Sequence, residues 1–197
     1  MRITSIDTCV LTVPTSKQMA LEFAHHKLVV AEIATDEGIR GLGYSLVFGG
    51  AGAESVLVYL DTRLKPLLLG EDPLAVERLW EKMYRGDRGV RRVGIAGMAL
   101  SALDIGLWDV AGKAAQLPLY KLWGAVTDRV PCYGSGGWGK YGDEDLIAEA
   151  ERYAGMGRAA ALPRGLRLPA PARRLRRSAG GVGGLVGRLP PGQRRRA

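Results

Sequence analysis

Apolar and polar positions alternate loosely from Ile3 to Val13 (Ile3, Ile6, Thr8, Val10, Thr12), with the β-branched residues of a half-buried strand. A second strand pattern covers about Lys27 to Ala34, and Thr35-Asp36-Glu37-Gly38 separates it from a third, Ile39 to Ser45. Asp-Glu-Gly between two apolar runs predicts a tight reverse turn in which Gly38 takes a positive φ. From Ala53 the period lengthens to about 3.6, and Val56, Leu57, Leu60, Leu64 and Leu67 mark a helix ended by Gly70. Asp72-Pro73 offers a cap and a first-turn proline for a second helix, marked by Val76, Leu79, Trp80 and Met83 and stopping near Gly86. A third helix, about Val93 to Ala115, is apolar nearly all round and is expected between layers. Its Gly94, Ala96, Gly97, Ala99, Ala102 and Gly106 permit close approach of neighbouring elements. A helical turn from Leu117, a strand over Val130 to Ser135 and a helix from Asp143 to Gly155 complete the pattern. The predicted class is α+β: a three-stranded antiparallel meander, then helices, then the start of a strand and helix alternation.

A length of 197 residues predicts one domain, or a domain and a fragment. No uninterrupted apolar run reaches the roughly 18 residues of a membrane helix, and MRITSIDTCV lacks a secretory apolar core. The expectation is a cytoplasmic chain with no membrane partner. Cys9 and Cys132 form no C-x-x-C pair and are read as buried thiols. The net charge of +8 belongs to one segment: residues 158 to 197 hold eleven Arg and no Lys, Asp or Glu, leaving 17 basic against 20 acidic residues before them. Those 40 residues use eight amino-acid types and no aromatic, a low-complexity composition expected to be disordered. Clustered arginines neutralise phosphates, which is one reading of the segment as a nucleic-acid arm. The absence of stacking aromatics and of Lys weighs against it. The other reading is out-of-frame translation of G+C-rich DNA, in which C-ending codons followed by G-starting ones become CGN arginine codons.

Candidate chemistry in the body is sparse. The cluster Phe48 to Ser55 lacks the Gly-Lys-Ser/Thr ending of a phosphate loop, and G-x-x-G-x-G at Gly38 to Gly43 lies on a hairpin; both read as plain loops. His25 and His26 are adjacent on a strand and point to opposite faces, so they do not share one ion. Asp109 pairs with Lys113 at i+4, and Asp104 is expected to accept hydrogen bonds across a helix interface. Asp143 and Asp145 are spaced like a metal pair but sit at a helix start, where capping and the helix dipole account for them.

Four blocks, TDEGIRGLGYS (Thr35 to Ser45), LLLGEDPLAVERLWEKMY (Leu67 to Tyr84), GMALSALDIGLWDVAGKAAQLPLYKLWG (Gly97 to Gly124) and DRVPCYGSGG (Asp128 to Gly137), resemble the mandelate racemase and muconate-lactonizing branch of the enolase superfamily. The resemblance implies an enolase-like capping domain over 1–128 and the first β/α unit of a barrel over 129–157; the low-complexity tail over 158–197 lies beyond it. It implies removal of the proton α to a carboxylate by a Lys or His base, with Mg²⁺ stabilising the ene-diolate, on an acid-sugar substrate and in a homo-oligomer. The family's K-x-K strand is due after Gly157, where this sequence reads GRAAALPRGLRLPAPARR with no Lys, Asp, Glu or His beyond. No base and no metal ligand carry over, so the chain is expected to be inactive and to bind no Mg²⁺ itself; a (β/α)₈ barrel needs about 250 residues. What carries over is the lid. Thr15 to His26, Val47 to Gly52 and Ser135 to Trp138 match the family's specificity loops and first strand end, with Phe23, His25, His26, Phe48, Gly49, Ser135 and Trp138 as candidate lid residues.

Overall fold

The computed structural model describes residues 1–15, 23–86, 93–127, 129–130, 132–136, 141–156 and 159–160. The described residues fall in two compact units, one up to Thr127 and one from Arg129.

The first unit opens with β1 (Ile3–Pro14), β2 (His25–Thr35) and β3 (Arg40–Val47), an antiparallel sheet in the order β1-β2-β3. Registers Ile6↔Ile33 and Val29↔Ser45 place Ile6, Val29, Ile33 and Ser45 on one face. The turn between β2 and β3 has the expected form, with Gly38 at φ 78° and the Thr35 hydroxyl donating to the Ile39 carbonyl at 2.9 Å.

The helical run after β3 is not uniform. It comprises α1 (Ala53–Tyr59), a π-helical turn (Leu60–Leu64) and α2 (Lys65–Leu68). The buried residues Val56, Leu60, Leu64 and Leu68 recur every four positions, so in a pure α-helix they would drift about 40° per step around the axis. The wider π turn cancels that drift and keeps all four on the core. Gly70, at φ 78°, ends the run as expected.

Asp72 corrects the predicted cap. Its carboxylate accepts the Leu74 N–H at 3.0 Å and closes a turn, and α3 (Val76–Gly86) begins later, with Leu79 N–H bonded to the Ala75 carbonyl. A proline at 73 therefore belongs to the approach to the helix and not to its first turn.

The long helix α4 (Gly94–Ala114) crosses the sheet's inner face and buries Ala99, Ala102, Leu103, Gly106, Leu107 and Val110. It is long and apolar enough to cross a membrane by length and composition; here that face packs on β2 and β3. It is not covered all round as expected, since Ile95 and Ile105 stand exposed. Close approach is obtained from both sides: a Cβ on Gly43 would overlap the Ala102 carbonyl, and one on Gly41 would overlap the Gly106 carbonyl. The unit ends with α5 (Leu119–Leu122). Cys9 and Cys132 are both exposed, against the expectation of buried thiols; Cys9 alternates with core-facing Thr8 and Val10 and so lies on the sheet's outer face.

In the second unit β4 (Tyr133–Gly134) is shorter than the predicted strand and pairs in parallel with β5 (Ala159–Ala160) across α6 (Asp143–Gly155). Two residues of the segment expected to be disordered thus pair as a strand; 161–197, and with them most of that expectation, lie outside the described residues. Asp143, Glu144 and Asp145 occupy the first turn of α6, but Gly142 is the N-cap and no side chain caps it. Their role is electrostatic, toward the helix N-terminus.

Candidate functional site

Four of the seven lid candidates come together at one end of the sheet. The β1–β2 hairpin is closed there by the Thr15 N–H donating to the Ala24 carbonyl at 3.1 Å. His26, the second residue of β2, has its ring edge-on to Phe23 (centroids 5.9 Å apart) and to Phe48 (5.1 Å). Its Nδ1 accepts the Gly49 N–H at 3.2 Å. In that hydrogen-bonded state the ring is neutral, with its proton on Nε2.

The chain turns sharply between β3 and α1, with Gly49, Gly50 and Gly52 at φ 67°, 75° and 88°. Gly49 is required twice over, by its left-handed backbone and because a Cβ there would enter the Phe23 ring. Next to it a Cβ on Gly50 would press on the Lys27 side chain at 3.0 Å and approach the His25 ring at 3.5 Å. Lys27 forms an ion pair with Glu54 in α1, and this partner holds the Glu54 carboxyl below its ordinary range. His25 and His26, on alternate faces of β2, thus touch different residues, as their spacing predicts.

Ser135 follows β4 in the second unit, where its carbonyl accepts the Tyr153 hydroxyl at 3.0 Å. Trp138 lies outside the described residues. Sequence reading assigned no role to Lys27 or Glu54; a Lys at the start of a strand and a Glu in the first turn of a helix carry no spacing signal across 27 positions.

The carboxylates elsewhere are structural. Asp109 pairs with Lys113 and also accepts the Leu42 N–H at 2.8 Å. Glu71 takes Lys82 at 2.6 Å and Arg78 at 2.9 Å, which lower its carboxyl below the ordinary range. Asp104 departs from expectation: the hydrogen bond across a helix interface is not found among the described residues, and burial, with Glu77 adding like charge, raises its carboxyl above the ordinary range. Mg²⁺ requires several oxygen ligands at one point. Among the described residues no three His, Cys, Asp or Glu side chains converge on one point, and the best-placed carboxylates are engaged with Lys and Arg. These residues do not fit a resident Mg²⁺.

The sequence model of the mandelate racemase / muconate lactonizing enzyme N-terminal domain matches residues 5–124. Arabinonate dehydratase of Saccharolobus solfataricus is 41% identical over 133 residues, 66% of this chain and 35% of its own length. L-talarate/galactarate dehydratase of Salmonella typhimurium is 39% identical over 113 residues, covering 56% of this chain and 27% of that one. Among solved structures, a racemase from Streptomyces coelicolor A3(2) with bound magnesium superimposes with a TM-score of 0.76 at 30% identity, over 90% of this chain and 50% of the other. The Salmonella dehydratase liganded with Mg and L-lyxarohydroxamate gives 0.75 at 27% identity, over 93% and 49%. The chain spans about a quarter to a third of the length of these curated relatives and about half of the solved chains.

Proposed function

We propose that this chain, which belongs to the mandelate racemase / muconate lactonizing enzyme family, is the substrate-capping part of an acid-sugar dehydratase or racemase, joined to the first β/α unit of its barrel. Its homologues are acid-sugar dehydratases and racemases of the enolase superfamily. The observation that carries the reading is the joint match of sequence and fold over the first unit, from the meander through α5. On this reading Phe23, His25, His26, Phe48 and Gly49 belong to loops that select the substrate. The prevalence of dehydratases among the relatives favours a polyhydroxy acid with a leaving hydroxyl β to the carboxylate.

Chemistry at the α-carbon needs a base to take the proton and cations to hold the resulting ene-diolate. The parallel strand β5, paired with β4, reads Ala159-Ala160, and no Lys, His, Asp or Glu follows Gly157 in the 197 residues. By themselves these residues therefore cap and do not catalyse, and no step is assigned to a metal held by them. We attribute the arginine-rich composition after Gly157 to out-of-frame translation. The intact enzyme is a cytoplasmic homo-oligomer on the same proposal.

Three measurements test this. The purified chain, incubated with Mg²⁺ and arabinonate, galactonate, mannonate and talarate in D₂O, should neither dehydrate them nor exchange their α-protons; turnover would overturn the inactivity. The gene should encode a K-x-K strand in another frame within a few codons of Gly157. A chimera carrying residues 1–127 of this chain before the arabinonate dehydratase barrel should turn over an acid sugar with altered KM, and a folded chimera inert on every acid sugar would sink the capping role. The eleven arginines of 158–197 support one rival reading, a nucleic-acid arm; salt-dependent retardation of DNA or RNA that is lost on deleting 161–197 would favour it.

A further inference from the structure

We propose that His26 is a positioning residue that latches two segments, Phe23 to His26 and Val47 to Gly52, into one body, so that they open and close together. The inference rests on the capping reading only in calling the two segments a lid.

The segments are separate in sequence, and among the described residues no backbone hydrogen bond holds Gly49 to Phe23 directly. Beyond the β2–β3 pairing, which reaches Lys27↔Val47, one imidazole bridges them. Nδ1 holds the Gly49 N–H, and the two ring faces or edges meet Phe23 on one segment and Phe48 on the other. Phe23 in turn occupies the space that a side chain at 49 would need. Removing the imidazole deletes the bond and both ring contacts together, while the Lys27–Glu54 ion pair beside it ties β2 only to α1.

The same ring carries a tension. Nε2 is buried and has no hydrogen-bond partner among the described residues. A buried donor without an acceptor is destabilising, because it has given up its hydrogen bond to water. Opening the latch lets water reach Nε2, and an oxygen of a bound acid is an alternative acceptor. The closed arrangement is therefore held by Nδ1 and the rings and opposed by Nε2.

Amide hydrogen exchange on the full chain, corrected for intrinsic rates, tests the latch without any ligand. In the wild type Phe23, Ala24, Phe48 and Gly49 should share one protection. His26→Phe, which keeps an aromatic ring and loses the acceptor, should raise Gly49 exchange at least about tenfold and uncouple it from Phe23. His26→Asn, whose Oδ1 replaces Nδ1 as acceptor, should keep Gly49 protected. Gly49 protection unchanged in a folded His26→Phe variant, or lost in a folded His26→Asn variant, overturns the proposal. If His26→Phe does not fold, the His26→Asn comparison decides alone. Coupled exchange in the chain, together with an arabinonate dehydratase chimera indifferent to His26, would retain the latch and remove the lid.

Discussion

The Asp109 carboxylate on α4 accepts the backbone N–H of Leu42 on β3 at 2.8 Å, 67 positions away. Lys113, one turn on, donates to the same carboxylate oxygen and to the Arg40 carbonyl, each at 2.7 Å. β3 is an edge strand, and an open edge invites pairing with another chain. An i,i+4 pair that the sequence presents as ordinary helix decoration therefore engages both backbone polarities of that edge.

Asp109→Ala should lower stability by about 1–2 kcal/mol, the scale of a hydrogen bond to a charged group with some solvent access. Asp109→Asn should recover much of that. Urea midpoints with an unchanged m-value check both; an alanine variant as stable as the wild type would show that water serves Leu42 equally well.

Asp104→Asn should stabilise the fold at neutral pH, by less than about 1 kcal/mol because the group is partly solvated. The sign follows from the raised folded-state value of Asp104: in the window just above the ordinary Asp range the folded chain holds more protons than the unfolded one, so stability falls as pH rises through it. The gain from asparagine should disappear below that window. Thermal midpoints of the two proteins from pH 3 to pH 8, taken at roughly one-unit steps, follow the difference directly.

Glu71 should act in the opposite sense. Lys82 and Arg78 lower its folded-state value, so its contribution is present above the ordinary Glu range and is lost as pH falls through the lowered value. Glu71→Gln is expected to be less stable than wild type at neutral pH and to converge with it in acid; a constant gap at all pH values would assign the effect to packing.

Gly43→Ala should cost about 3 kcal/mol or more, since the new methyl meets the Ala102 carbonyl on a rigid helix. Tyr44→Lys, at the next position but on the exposed face, should cost less than about 1 kcal/mol. Leu103→Ala, in the centre of the core, should cost about 2–5 kcal/mol. Chemical denaturation of the three variants orders them, and a Tyr44→Lys cost as large as that of Leu103→Ala would mean that the outer sheet face is covered.

Element order and type were determined by the sequence alone, because the apolar period of two before Ala53 and near four after it is a local property. The turn at Gly38, the stop at Gly70 and the span of α6 followed from backbone chemistry at single residues. So did the opposed faces of His25 and His26. Burial did not follow in the same way. In β3 the larger apolar residues Leu42, Tyr44 and Leu46 face outward, while Gly41, Gly43 and Ser45 face the core; hydrophobicity alone would reverse that strand. Tertiary structure decided it, because α4 lies so close that only glycine fits beneath Ala102 and Gly106, and the Ser45 hydroxyl finds the Met98 carbonyl at 2.6 Å. The π turn at Leu60–Leu64 likewise answers a four-residue spacing that becomes a demand only when one core receives all four side chains. The cluster around His26 depends on residues 23, 26, 48 and 49 meeting where two connections end on one sheet, and such contacts leave no periodic trace in a linear chain.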